Sequence, residues 1–268
     1  MTREYEIAEL RIYPVKSCRG LSVDSAELET RGFARDRRFM FVSPDGTFLS
    51  QRTVPRLAQI TVDMHSHSIT LRHDSAGSMT VRTPQTTDKT TDVRVWSDNV
   101  KALDCDADNT WIQRALGVEA SLVYQPPTLQ RSVDPTYAHT DDIVSFADGF
   151  PYLVTNTASL ARLNDALRRP VPMENFRPNI VVDGDVPFEE NEWSKLTTDG
   201  VTIELVKPCT RCAVITTDQQ TGERNRRDVL QTLARISRNE DGVVFGKNGV
   251  ARRLGSLHVG EAIRVETK

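Results

Sequence analysis

The chain has 268 residues, with 34 Lys and Arg against 37 Asp and Glu and a formal net charge of −3. Charge so nearly balanced gives no electrostatic grip on nucleic acid or an anionic bilayer, while this length can bury a substantial core. No run approaches the roughly 18 apolar residues of a membrane span, and no apolar stretch follows Met1-Thr2-Arg3-Glu4-Tyr5-Glu6, so neither span nor signal peptide is expected.

In chain order, Tyr5 to Tyr13 alternates apolar and polar side chains, which predicts a half-buried strand stopping at Pro14. Val15 to Gly20 reads as a connection, with Lys16 and Ser17 at the strand's end. Leu21 to Glu29 alternates again, Arg31-Gly32 marks a turn, and Phe39-Met40-Phe41-Val42 reads as a buried strand. Ser43-Pro44-Asp45-Gly46 closes a hairpin onto Thr47 to Ser50, and Gln51-Arg52 follows. Further strands are expected at Leu57 to Met64, Ser68 to Arg72, Met79 to Arg82 and Asp92 to Trp96.

The middle of the chain is more helical. Ala107, Trp111, Ile112, Ala115 and Leu116 share one face of a helix over 106–116, with Gly117 as its stop. The segment 125–140 is polar and proline-bearing, a linker or lid. Ser145 to Pro151 is a loop rich in turn formers, and Asn156 or Thr157 caps a helix carrying Leu160, Leu163 and Leu167. Strands are expected at Ile180 to Asp183, Val201 to Val206, Ala213 to Thr217, 243–245 and Ala262 to Val265, with a helix over Arg227 to Ser237. The fold class is mainly β with α insertions, barrel-like.

Two of the four cysteines stand in Lys207-Pro208-Cys209-Thr210-Arg211-Cys212. Arg211 beside Cys212 favours a thiolate, a soft donor for a thiophilic metal. The same spacing fits half of a structural zinc site, a redox pair opening a helix, or two small residues flanking a bend. No second Cys-x-x-Cys exists, and 213–217 reads as strand rather than helix. Lys16-Ser17 and Arg35-Asp36-Arg37-Arg38 are basic spots at strand ends, where loops converge on anions or simply form a solvated rim. His65, His67 and His73 fit an exposed hairpin tip better than a metal site. Four cysteines in a chain of this length suit a reducing compartment, so a cytoplasmic location is expected.

Ile12-Tyr13-Pro14-Val15-Lys16-Ser17-Cys18, Arg35-Asp36-Arg37, Asn175-Phe176-Arg177-Pro178-Asn179-Ile180 and Cys209-Thr210-Arg211-Cys212 occur in that order. Together they resemble the MOSC family, specifically the branch of mitochondrial amidoxime-reducing components and their bacterial relatives. The resemblance implies a MOSC N-terminal β-barrel domain over 1–120 and a MOSC domain over 121–268. It implies a molybdenum cofactor (Mo-molybdopterin) with Cys212 as the metal's protein ligand, and Lys16, Ser17, Arg37, Arg177 and Asn179 as cofactor contacts. Cys209 is expected to pack behind Cys212, Arg211 to point away, and Asp148 to stand at the active-site rim or cap a turn. The implied activity is reduction of N-hydroxylated compounds (amidoximes, hydroxylamines, N-hydroxylated nucleobases) to amines or amidines, consuming two electrons and two protons and releasing water. No cysteine follows Cys212 and no Gly-x-Gly-x-x-Gly is present, so electrons are expected from a separate flavin or iron–sulfur protein. A non-catalytic carrier of the cofactor or its sulfur is the alternative.

Overall fold

The computed structural model describes residues 2–267. Among these residues seven strands close on themselves into a barrel. Thr2–Ile12 pairs antiparallel with Ile180–Val182 on one side and with Ala262–Thr267 on the other. From there the ring runs through Trp193–Thr197, Thr202–Thr210 and Gly242–Arg253 to Tyr152–Asn156. Parallel pairing of Tyr152–Asn156 with Ile180–Val182 shuts it. Ile7, Leu10, Val154, Val182, Leu205 and Val265 fill the interior. The alternation predicted for the first strand slips by one residue at a bulge between Ile7 and Glu9, which is why Ile7, Leu10 and Ile12 are the buried set. Gly246, at φ 77°, permits closure, because a Cβ there would lie 2.6 Å from the Val154 carbonyl oxygen.

A second, smaller β unit sits against the barrel. Phe39–Val42, Ser121–Tyr124, Asp98–Asp104 and Thr90–Val95 form one sheet, and Thr61–Met64, Ser68–His73 and Gly77–Arg82 form a meander. Helix Asn109–Leu116 packs Trp111, Ile112 and Leu116 into this unit's core, with Asp108 as its N-cap and Gly117 left-handed at its end. Helices Thr157–Asp165 and Arg227–Ile236 lie outside the barrel, where Leu163, Val229 and Leu233 pack with Phe176, Ile215 and Phe245. The units interlock: the chain's first strand lies in the barrel, and Ser25–Glu29 pairs with Ser256–His258. Buried Gln51 and Gln219 exchange amide hydrogen bonds of 3.0 and 3.1 Å across the seam.

Three expectations change. Leu57 to Met64 begins as a 3-10 turn, Pro55–Gln59, because Pro55 presets a helical φ and cannot donate to a ladder. The 125–140 segment is anchored rather than loose: Arg131 is buried and bonds Asp98 and the carbonyls of Ala147 and Asp148. Ala213–Thr216 is a single 3-10 turn, not a strand. Its β-branched residues are overruled by tertiary contacts: Ile215 enters the core, and Asn175 Nδ2 donates to the carbonyls of Ile215 and Thr217 at 3.0 and 3.2 Å.

Candidate active site

At the seam between the two units lies an open cleft. Lys16, Ser17, Arg37, Asp148, Arg177, Asn179, Cys209 and Cys212 all line it, so the segments singled out in the sequence meet in one place. The lining holds five cationic side chains (Lys16, Arg37, Arg52, Arg177, Arg211) and one carboxylate, Asp148.

Tyr13 organises the cationic half. Its ring is buried, and the guanidinium groups of Arg37 and Arg177 each lie 4.3 Å from its centroid. Gly20 leaves room for the ring, since a Cβ there would come within 2.4 Å of it. Asp36, fully buried, accepts from the Tyr13 N–H at 2.7 Å and from Arg37 Nη1 at 2.6 Å. Arg37 also donates to Asn179 Oδ1 at 2.9 Å and to the Arg177 carbonyl at 3.2 Å. Asn179 is thereby committed to protein: its Nδ2 donates to the Arg11 carbonyl. Arg177 donates from Nη1 to the Cys18 carbonyl at 2.8 Å, while its buried Nη2 has no partner. Burial pulls the Arg177 guanidinium below its ordinary pKa, Tyr13 resisting and Arg37 adding to it. Ser17, Arg37 and Arg177 all have positive φ, at 67°, 48° and 55°. Non-glycine residues enter that region at a cost, and three at one cleft mark a site whose geometry the fold enforces.

Lys16 forms the floor toward the other rim. Its ammonium donates to the Phe146 carbonyl at 2.7 Å and to Asp148 Oδ1 at 2.5 Å. Burial lowers its pKa from 10.5 to about 8, against the opposing pull of Asp148. Asp148 is ringed by protein, which raises its pKa, but Lys16 outweighs this and holds it well below the usual carboxylate range. The Asp148 side chain nevertheless remains 68% exposed through the cleft mouth, so it stays ionised and reachable.

The thiol half is built differently. The strand Thr202–Thr210 loses register between Leu205 and Lys207 and again between Pro208 and Thr210, re-aiming its last residues toward the cleft. Cys209, next to last in this strand, is half-buried, and its thiol pKa is raised by burial despite Arg211 nearby. Cys212 is exposed and precedes the Ala213–Thr216 turn. Arg211 points away from the cysteines, donating to the Phe245 carbonyl at 2.6 and 2.8 Å and to the Phe176 carbonyl at 2.8 Å. Phe176 and Phe245 stack at 3.9 Å, so Arg211 clips the cysteine turn to that pair. Among the described residues no group of three His, Cys, Asp or Glu is placed to hold a metal. A structural zinc site through Cys209 and Cys212 therefore has no further ligands there. Ala213–Thr216 is a single 3-10 turn rather than a strand, but Cys209 lies in a ladder strand and does not open a helix as the first thiol of a redox pair does.

Sequence reasoning passed over several participants. Tyr13, Asp36 and Asn175 stand inside the quoted motifs, yet their roles need the three-dimensional contacts. Arg52 was visible only as a charge after a hairpin. Trp96 was read as the end of a strand, whereas the strand stops at Val95 and Trp96 turns outward at φ 57°.

A closed barrel with a β unit clasped to it, and an arginine cluster facing a Cys-x-x-Cys turn, defines the class to which the comparisons also point. Residues 4–119 match the MOSC N-terminal beta barrel domain and residues 141–264 the MOSC domain. The chain belongs to the MOSC family. Mitochondrial amidoxime-reducing component 1 of Mus musculus is 32% identical over 271 residues, 97% of this chain and 80% of that protein. Mitochondrial amidoxime reducing component 2 of Homo sapiens is 31% identical over 276 residues, 96% of this chain and 82% of that protein. Molybdenum cofactor sulfurase of Bos taurus is 30% identical over 91% of this chain but only 30% of its own length. The YUAD protein from Bacillus subtilis shares the fold, at TM-score 0.51 and 8% identity, over 100% of this chain and 98% of that one. No helix among the described residues is long and apolar enough to cross a membrane.

Proposed function

We propose that this chain is a molybdenum-cofactor-dependent oxidoreductase that reduces N-hydroxylated compounds to amines or amidines with electrons from a separate redox protein. The observation that carries the reading is the convergence of five cations and one exposed cysteine on a single cleft. The donor set fits the group: the buried Arg177 Nη2 lacks a partner, as an anion-binding fork does before its anion arrives. Lys16, Ser17, Arg37 and Arg177 would hold the phosphate and pterin end, and the Cys212 thiolate would bind the metal. Asn179 orients Arg37 rather than touching the group, through its Oδ1 contact. Cys209 packs behind Cys212. When bound, the cofactor supplies a two-electron centre able to take up the substrate's oxygen.

The chain's own part is placement and proton handling. Asp148 stands at the mouth, within reach of a substrate N–H or O–H, and Lys16 behind it keeps it ionised. Lys16, with a pKa of about 8, is an ammonium near neutral pH that can restore a proton to Asp148's neighbourhood. Its two acceptors leave one of three N–H groups for an anion in the cleft.

The test is to mix pure, molybdenum-loaded protein with a hydroxylamine and NADH, and in a second sample with reduced methyl viologen. The reading expects turnover only in the second. Turnover with NADH alone removes the separate donor. Turnover in neither favours a carrier, a role closer to the sulfurase relative.

A further inference from the structure

The segments 13–16 and 35–39 send side chains to two different places. Lys16 and Arg37 line the cleft, whereas Pro14, Arg35, Arg38 and Phe39 line a separate hollow that shares no lining residue with it. Met64, Ile69 and Tyr124 of the smaller β unit complete the hollow's apolar side, where the Phe39 and Tyr124 rings meet at 4.8 Å. Its cationic side is incompletely matched. Arg38 is only 6% exposed; its Nη2 donates to Glu29, while its buried Nη1 has no partner. Burial, with Arg31 adding to it, lowers the Arg38 pKa from 12.5 to about 10 against the pull of Glu29 and Asp36. Glu29 also faces the buried Arg31 at 3.7 Å, and Asp36 is committed to Arg37 and the Tyr13 N–H. Arg35 adds an exposed cation at the rim, with φ 68°, and its Nη1 donates to the His65 carbonyl at 3.2 Å. Asp63, beside Met64, is paired with Arg72 at 2.9 Å. An unmet N–H on a buried guanidinium costs free energy that an arriving anion returns.

We propose that this hollow is a second binding site, distinct from the cleft, for a small carboxylate carried on a flat apolar body. The carboxylate accepts from Arg38 Nη1, with Arg35 supporting it from the rim, and the body packs against Phe39, Ile69 and Tyr124. An apolar lining with a few placed polar groups is the usual build of a small-molecule site. Inorganic phosphate would satisfy the cations but leave the apolar side uncovered. Nothing in this assignment depends on the reductase reading.

Met64 lines the hollow and no methionine among the described residues lines the cleft, so its methyl group is a local reporter. The experiment titrates the full chain, carrying 13C-methyl methionine, with benzoate, neutral benzamide and inorganic phosphate, the Met64 signal being assigned with Met64→Leu. Benzoate should shift that signal saturably, about tenfold more tightly than benzamide or phosphate. Its affinity should be unchanged in Arg177→Ala, several-fold weaker in Arg35→Glu and about tenfold or more weaker in Arg38→Met. Absence of a saturable shift, or loss of the shift in Arg177→Ala, overturns the site. Equal affinity for benzamide removes the anion contact, and equal affinity for phosphate removes the apolar one; either result contradicts the proposal. If Arg38→Met fails to fold by circular dichroism, the exposed Arg35→Glu decides, and undiminished benzoate affinity there overturns the assignment.

Discussion

On one side of the cleft, Arg37 and Arg177 are fixed by Asp36, Asn179, the Cys18 carbonyl and the Tyr13 ring, every partner buried or nearly so. On the other, Cys212 is exposed on a one-turn helix held by two clips, Asn175 to the Ile215 and Thr217 carbonyls and Arg211 to those of Phe176 and Phe245. The first arrangement preorganises charge in a low-dielectric setting, where losing one partner leaves another group stranded. The second leaves the Cys212 side chain exposed. Changes on the cation side should therefore register in stability and cofactor content together, and changes at Cys212 in chemistry alone.

Cys212→Ser gives the largest effect in activity: viologen-driven reduction should fall by more than the 10- to 100-fold typical of changes beside a ligand, with an unchanged melting curve. Cys209→Ser should stay within that smaller range, because in the proposed arrangement Cys212, and not the half-buried Cys209, binds the metal. A reversed order of the two variants exchanges their roles. Asp36→Asn strands the Arg37 charge and should cost about 3–5 kcal/mol, lowering Tm by on the order of 10 °C in a thermal melt. An unaltered melt would mean the Asp36–Arg37 pair does not hold this half together. Arg177→Ala removes a charge-assisted contact of about 1.5–3 kcal/mol and should lower cofactor affinity roughly 10- to 100-fold, read as molybdenum and pterin per chain. Full occupancy with a depressed Tm would make that arginine structural. Asn175→Ala frees two carbonyls and should cost about 1–2 kcal/mol, with turnover reduced less than in Cys212→Ser.

The smallest effect concerns pH. Because burial lowers the Lys16 pKa from 10.5 to about 8, the ammonium is present below that pH and lost above it. An anion bound nearby favours the charged form, so its retention should weaken several-fold as pH rises from 7 to 9. Measuring cofactor left after gel filtration at each pH checks the sign; tighter retention at pH 9 would remove Lys16 from the anion site.

Much of this cleft was legible in the sequence because its residues travel in short motifs: Lys16-Ser17, Arg35-Asp36-Arg37, Asn175 to Asn179 and Cys209 to Cys212 all reach it. The β class was legible too, since Thr2–Ile12, Phe39–Val42 and Thr61–Met64 carry the pattern of strands. What stayed hidden depends on distant partners. Trp193–Thr197 and Ser121–Tyr124 are short strands of mixed polarity that only a neighbouring strand defines. The turn at 213–216 is dictated by Asn175, about forty residues away in sequence. Trp96 looked like a strand residue because its positive φ, and its reach to Asp148, are properties of the folded hairpin.

The central claim is that Cys212 binds molybdenum in a cleft whose arginines hold the rest of the cofactor. X-ray absorption at the molybdenum edge tests it most directly, on wild-type and Cys212→Ser protein from molybdate-supplemented cells. The account predicts bound molybdenum in both, with one sulfur neighbour fewer in the variant. An identical sulfur count in the two proteins, or no molybdenum in wild type, would contradict it.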